Sequence, residues 1–290
     1  MGEDNMTTTT AQIEIRPLTG AIGAEIFGVD LSGSLSNSLH EEIQQAFLKY
    51  KVIFFRDQTL TPAQQLEFSS HFGKPGIYPF LNHIEGYPEV IELLTTETDT
   101  VNFGSNWHSD TTYMPEPFLG TCLYALETPP YGGDTMFVNM TAAYEALSEG
   151  MKETLNGLRA VNTSAQKRSG GRAAKMKALS GMKDAYDMKS DVIEAIHPVV
   201  RTHPETGEKA LYINKSHTER FEGWTDAESD PVLNFLFDHC IKTEFVCRFR
   251  WEPGSLAFWD NRCTLHQAVG DYQGHRRRMH RVTIDGDAPF

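Results

Sequence analysis

Asn106-Trp107-His108-Ser109-Asp110 is the stretch whose reading decides the fold, and Trp259-Asp260-Asn261-Arg262-Cys263-Thr264-Leu265-His266 answers it far downstream. Residues two apart on a strand point to one face. A strand through this stretch would therefore bring the His108 imidazole and the Asp110 carboxylate to one point. His266, from another strand of the same barrel, would complete a set of two imidazoles and one carboxylate. Such a set on one side of a metal leaves the opposite positions open, which suits non-haem Fe(II) that must take a co-substrate and dioxygen. A His-x-acid pair alone says little, because His83-Ile84-Glu85, His203-Pro204-Glu205 and His217-Thr218-Glu219 have the same form. Context singles out the first pair: glycine-rich and apolar neighbours, and a distant His followed by an Arg-rich segment.

Composition narrows the function classes. A chain of 290 residues, 40% of them hydrophobic and 22% charged, has apolar material for a sizeable core. A net charge of −13 argues against a nucleic-acid or anionic-membrane binder. No apolar run reaches membrane-spanning length. Met1 to Thr10 is polar, lacks a signal-peptide core and is expected to be disordered, leaving 11–290 as one domain. The four cysteines, Cys122, Cys240, Cys247 and Cys263, form no Cys-x-x-Cys pair. They read as buried free thiols in a reducing, cytoplasmic compartment rather than as a zinc site.

Strand-like stretches dominate along the chain. Two short strands are expected within Ile13 to Leu31, then others at Lys51–Arg56, Val90–Leu94, through the His-x-Asp motif, and at Leu119–Leu126 and Met136–Val138. Later strands fall at His197–Val200, Lys209–Asn214, Phe245–Trp251, Ser255–Trp259 and Arg278–Ile284. Helices are expected over Ser36–Lys51, from Thr61-Pro62 to Phe72-Gly73, over Thr141–Leu147 and Glu149–Leu158, and over Asp226–Cys240 with Thr225 or Asp226 as cap. Without a regular βαβ alternation, this order implies a mainly β fold with helical additions, an antiparallel barrel or sandwich. The basic stretch 161–190, poor in large apolar groups, reads as a lid or a solvated insertion.

On these residues the chain resembles the taurine/aryloxyalkanoate (TauD/TfdA-type) Fe(II)- and 2-oxoglutarate-dependent dioxygenases, from about Ile15 to Phe290. The stretches that carry the resemblance are Asn106–Asp110, Gly132-Gly133-Asp134-Thr135, Ala142–Leu147, Trp259-Asp260-Asn261-Arg262, and His266 through Arg281. The resemblance implies a double-stranded β-helix, or jelly-roll, core. It implies iron on His108, Asp110 and His266, and 2-oxoglutarate with its far carboxylate on Thr135 and Arg277. A planar guanidinium fork suits a carboxylate, and the Thr135 hydroxyl adds a hydrogen bond. Parity on the last strand would turn Arg277, Met279 and Arg281 inward, and Arg276 and Arg278 outward.

Arg281 stands where the taurine enzyme holds a sulfonate, so it is the candidate for gripping a small anionic substrate. Tyr78, Phe80, Thr111 and Asn214 are further substrate-pocket candidates. Pro75, Gly104 and Thr111-Thr112 depart from the taurine enzyme and point away from taurine itself. The expected reaction is hydroxylation of a substrate C–H with CO2 and succinate as co-products, O2 being the oxidant. Desaturation or ring formation on the same centre is the alternative outcome. A non-catalytic binding barrel would have no use for an open metal face beside a co-substrate anchor, and a zinc hydrolase would need a general base that the spacing does not offer. The family also implies a homo-oligomer, dimer or tetramer, while the acidic net charge and the absence of a long apolar run give the expectation of no nucleic-acid or membrane partner.

Overall fold

The computed structural model describes residues 13–78, 81, 83–165, 167–171 and 192–290. Its backbone is a main sheet, a smaller three-stranded sheet facing it, and helices packed on the outer faces. The main sheet runs Glu14–Pro17, Ala24–Phe27, Val52–Phe55, Leu256–Asp260, Gly120–Glu127, Arg277–Ile284, Tyr87–Thr95 and His83–Ile84, with Pro75–Gly76 also on the Arg277–Ile284 strand. All its pairings are antiparallel except that of Ala24–Phe27 with Val52–Phe55. The small sheet places Thr135–Asn139 between Val246–Phe249 and Thr264–Ala268. This is the double-stranded β-helix the family resemblance implies.

The two sheets close on an aromatic and aliphatic layer. Phe54 of the main sheet stacks on Phe249 of the small one at 3.9 Å between ring centres, and Phe137, Trp259 and Met279 fill the same layer. On the other side of the main sheet lie the helices Asn37–Tyr50 and Pro62–Ser70. Phe47 stacks on Phe258 there, with ring centres 4.2 Å apart. The side-chain period of two in Leu256–Asp260 explains both layers: Phe258 faces the helices, and Ala257 and Trp259 face the small sheet. The second helix starts where a capping box forms, Thr61 with Gln64, with Pro62 in its first turn. The first is capped by Ser36, one residue earlier than Asn37, and ends on Lys51 at φ +66°. The helix Asp226–Cys240 is capped by Thr225 through a second capping box with Glu228.

Three expectations change. No strand runs through the His-x-Asp motif: His108 makes one isolated bridge to His266, and the chain turns at Asp110. The stretch 161–190 does not leave the core at 161, because Arg159–Thr163 is a strand paired with Glu194–Pro198 and with Thr218–Phe221. The latter strand has no clear alternation and was not expected. Residues 172–191, most of the anticipated lid, lie outside the described residues, as do residues 1–12 and Phe80.

Phe258 is fully buried between helix and sheet. Phe258→Ala is expected to cost about 3–5 kcal/mol of stability, read as a lower urea midpoint at unchanged slope.

Candidate active site

The mouth of the barrel is closed by a pair of histidines. The backbones of His108 and His266 exchange both hydrogen bonds, 3.1 Å and 2.8 Å, which sets their rings on one face with centres 4.1 Å apart. The His108 Nδ1 lies 2.7 Å from the Asn106 carbonyl, so that nitrogen carries the proton and Nε2 keeps its lone pair. Burial, reinforced by the neighbouring His108, holds the His266 imidazole well below its usual pKa and keeps it neutral. Asp110 follows in a turn, and Thr111 after it adopts φ +54°. That left-handed residue redirects the chain beyond Asp110. Asp110 Oδ1 sits 3.8 Å from His108 Nε2 and 3.9 Å from His266 Nε2. The donor atoms of all three lie within 4.8 Å of one another, a separation a single cation can bridge.

Two guanidiniums from the Arg277–Ile284 strand face the same cavity. Arg277 and Arg281 are 7% and 3% exposed, Met279 between them is fully buried, and the outward Arg276 and Arg278 form ion pairs with Glu127 and Glu92. Arg281 Nη2 is 2.8 Å from Asp110 Oδ2. Burial works against the Asp110 charge, but Arg281, the two imidazoles and a hydrogen bond from Thr121 together hold the carboxyl well below its usual range. Arg281 thus serves the Asp110 charge and also has Nε and Nη2 without a well-angled hydrogen bond among the described residues. Arg277 Nε and Nη2 likewise find no partner there. A buried cation with unspent N–H groups calls for an anion. Beside Arg277, the Thr135 hydroxyl accepts from Trp251 Nε1 at 2.9 Å, which leaves its own hydrogen to donate. These residues fit a keto-diacid whose far carboxylate lies on Arg277 and Thr135.

The Gly132-Gly133 turn builds this end of the cavity. Both glycines have φ +69°, a Cβ at Gly132 would meet the Asp271 carbonyl at 2.8 Å, and one at Gly133 would come within 3.5 Å of Arg277 Cδ. The next residue, Asp134, pairs with Arg248 Nε at 2.6 Å.

Other sequence candidates fall differently. Tyr78 is buried with its ring 5.2 Å from the Arg281 guanidinium, at the edge of the site. Thr111 is buried, and its hydroxyl accepts from the Phe118 amide at 3.0 Å. Asn214 donates to Thr112 Oγ1 and accepts from the His217 amide, so it secures a loop. Among the described residues, the wall also includes Leu93, Asn102, Phe103, Leu123 and Ala268, which sequence reading did not single out. Leu93 and Leu123 sit on strands whose inward face is set by their pairing in the main sheet, opposite Met279 and Arg281 of the Arg277–Ile284 strand.

A second group of potential ligands, His203, Asp260 and Cys263, lies close together, but its carboxylate is already engaged in an ion cluster with Arg262 and His203. Asp260 takes Arg262 Nε and Nη2 at 2.8 Å and 2.7 Å and His203 Nε2 at 2.9 Å, so its oxygens are already spent.

The family model "Taurine catabolism dioxygenase TauD, TfdA family" matches residues 14–283. The chain is 35% identical to an alpha-ketoglutarate-dependent sulfate ester dioxygenase of Pseudomonas putida, over 96% of this chain and 91% of that protein. It is 33% identical to an (S)-phenoxypropionate/alpha-ketoglutarate-dioxygenase of Sphingobium herbicidovorans, over 94% and 95% of the two chains. Among solved structures, a taurine dioxygenase from Burkholderia xenovorans aligns with a TM-score of 0.79 at 36% identity, covering 96% of this chain and 90% of that one. AAD-2 in complex with Mn(II) and N-oxalylglycine aligns with a TM-score of 0.76 at 29% identity, covering 96% and 99%. The fold and the site define a two-histidine, one-carboxylate oxygenase barrel. The chain belongs to the TauD/TfdA family of 2-oxoglutarate-dependent dioxygenases.

Burial raises the cost of the Asp260 charge, yet Arg262 and His203 hold its carboxyl below the usual range. Stability from this cluster is therefore present above the unfolded carboxyl value of about 4 and is lost as pH falls through the lower folded value. Asp260→Asn is expected to cost about 3–5 kcal/mol at neutral pH and progressively less in acid, checked by urea unfolding across pH.

Proposed function

We propose that this enzyme hydroxylates a C–H bond of a small organic anion, with Fe(II) on His108, Asp110 and His266 and 2-oxoglutarate on Arg277 and Thr135. One observation carries the reading: two buried guanidiniums with unspent N–H groups flank a three-ligand cluster in a single cavity. Bound Fe(II) supplies the redox centre at which O2 oxidises both the keto acid and the substrate, one oxygen leaving in succinate and the other in the alcohol. The protein's own part is positioning. Arg277 and Thr135 anchor the far end of the keto-diacid, and Arg281 draws the substrate's anionic head toward the metal side. The apolar wall of Leu93, Phe103 and Leu123 excludes water and receives the substrate's carbon body.

Sulfate ester, sulfonate and aryloxyalkanoate substrates all combine an anionic head with such a body, as the named relatives' substrates do. Gly104 lines the cavity at φ +73°, with a Cβ there only 3.4 Å from His108 Cε1. The net charge of −13 supports a small-molecule partner over nucleic acid. Among the described residues no helix is long and apolar enough to cross a membrane. Four free, buried cysteines, with the Cys122 and Cys247 thiols pushed up to about 12 by burial, support a reducing cytoplasmic setting.

The test is succinate formation dependent on Fe(II) and 2-oxoglutarate, with a panel of alkyl sulfates, sulfonates and aryloxyalkanoates. A product heavier by one oxygen, or an aldehyde released together with sulfate, sulfite or the phenol when the new alcohol sits on the carbon bearing the heteroatom and collapses, confirms hydroxylation; a loss of two hydrogens shows desaturation, and no succinate across the panel overturns the reading. Arg277→Gln is expected to raise the KM for 2-oxoglutarate by about 10–100-fold, the worth of a charge-assisted hydrogen-bond pair. Arg281→Lys keeps a cation beside Asp110 but loses the fork. It is expected to raise the KM for the organic anion by about 10–100-fold and leave that for 2-oxoglutarate near wild type.

A further inference from the structure

Asp110 has two oxygens, and the chain treats them differently. Oδ1 faces the His108 and His266 Nε2 atoms at 3.8 Å and 3.9 Å. Oδ2 accepts from Thr121 Oγ1 at 2.7 Å and stands 2.8 Å from Arg281 Nη2. The direction of the Thr121 hydroxyl is fixed by a buried relay. Trp259 Nε1 can only donate, and it donates to Asn261 Oδ1 at 3.0 Å. The Asp110 backbone N–H points at the same oxygen from 3.4 Å. Asn261 must then turn its NH2 the other way, where Nδ2 donates to Thr121 Oγ1 at 3.1 Å. With its lone pair taken by Asn261, Thr121 has its hydrogen to give to Asp110. The Ser109 hydroxyl ties the motif to the Asn261 carbonyl at 2.7 Å. Thr121, Asn261 and Trp259 are all at most 2% exposed, so no water competes for these bonds.

We propose that Thr121, oriented by Asn261 and Trp259, is a positioning residue that makes Asp110 a one-oxygen ligand. The inference rests on the metal role of His108, Asp110 and His266 put forward above. By engaging Oδ2, Thr121 stops the carboxylate from swinging to bind through both oxygens. A two-oxygen carboxylate would take one of the positions that a chelating keto acid and dioxygen need. Arg281 balances the charge at Oδ2, but its Nη2 makes no well-angled hydrogen bond there. The directional restraint therefore belongs to Thr121. The neighbouring strands give it no freedom, since its backbone is paired with Trp259 on one side and Thr283 on the other.

The experiment needs no turnover. Metal-free full-length protein is titrated with Co(II) and followed by visible absorption, for wild type, Thr121→Val and Thr121→Ser, with circular dichroism as the folding control. Val keeps the shape and loses the hydroxyl, whereas Ser keeps the hydroxyl and loses the methyl. Thr121→Val is expected to bind Co(II) about 10-fold or more weakly, with an altered absorption envelope, and Thr121→Ser to stay near wild type in both. A Thr121→Val protein with wild-type affinity and spectrum overturns the proposal. If Thr121→Val does not fold, Thr121→Ser decides: a folded Ser variant that loses Co(II) affinity shows a packing role and overturns the proposal, and one that keeps it upholds the role of the hydroxyl. Failure of the wild type to bind Co(II) would instead sink the metal site itself, so the two failures are told apart.

Discussion

One ion pair organises the interior: the buried Asp110 carboxylate against the buried Arg281 guanidinium, joined across the barrel between a turn and a central strand. Neither charge is tolerable there alone. Their pairing fixes where the His-x-Asp turn lies against the Arg277–Ile284 strand, and through it where the keto-acid end of the cavity lies relative to the three ligands. The same strand brings in Arg277 four residues earlier, so the cavity holds two cations for one carboxylate. The cavity thus carries a surplus of positive charge in an otherwise acidic protein.

The rest of the fold keeps that strand in register. Arg277–Ile284 is paired on both sides, with Gly120–Glu127 and with Tyr87–Thr95. The stacked pairs Phe54–Phe249 and Phe47–Phe258 clamp the sheet from its two faces. The Asp260–Arg262–His203 cluster closes the loop just before the Thr264–Ala268 strand that carries His266. A slip of one residue in either strand would turn Arg277 and Arg281, or His266, away from the cavity, because strand side chains alternate faces.

Much of this was legible in the chain. Alternation along Arg277–Ile284 separated inward from outward arginines, since a strand buried on one face sorts its side chains by parity. Helix starts were readable to within a residue, because Thr61 with Gln64 and Thr225 with Glu228 satisfy the first amides locally. The His-x-Asp pair was readable as a pair but not as a turn. Nothing in Thr111 announces a left-handed conformation, which the surrounding hydrogen bonds impose. Asn214 was a substrate-pocket candidate in the sequence. Its actual partners, Thr112 and the His217 amide, are visible only once the loop is folded.

The sequence by itself determined the kind of chemistry: which residues could ligate a metal, which strand carried the inward-facing arginines, and which segments were helix or sheet. Those are properties of residue type and of local spacing, fixed by side-chain chemistry and by the period of the backbone. Only the tertiary structure decided which Asp110 oxygen faces the imidazoles, that Arg281 shares its charge with that carboxylate, and that Asp260, Arg262 and His203 form a filled ion cluster. Each of these depends on partners more than fifty residues apart in the chain, for example Thr121 with Asn261 or Asp110 with Arg281, and on directional hydrogen bonds that exist only after the strands have paired.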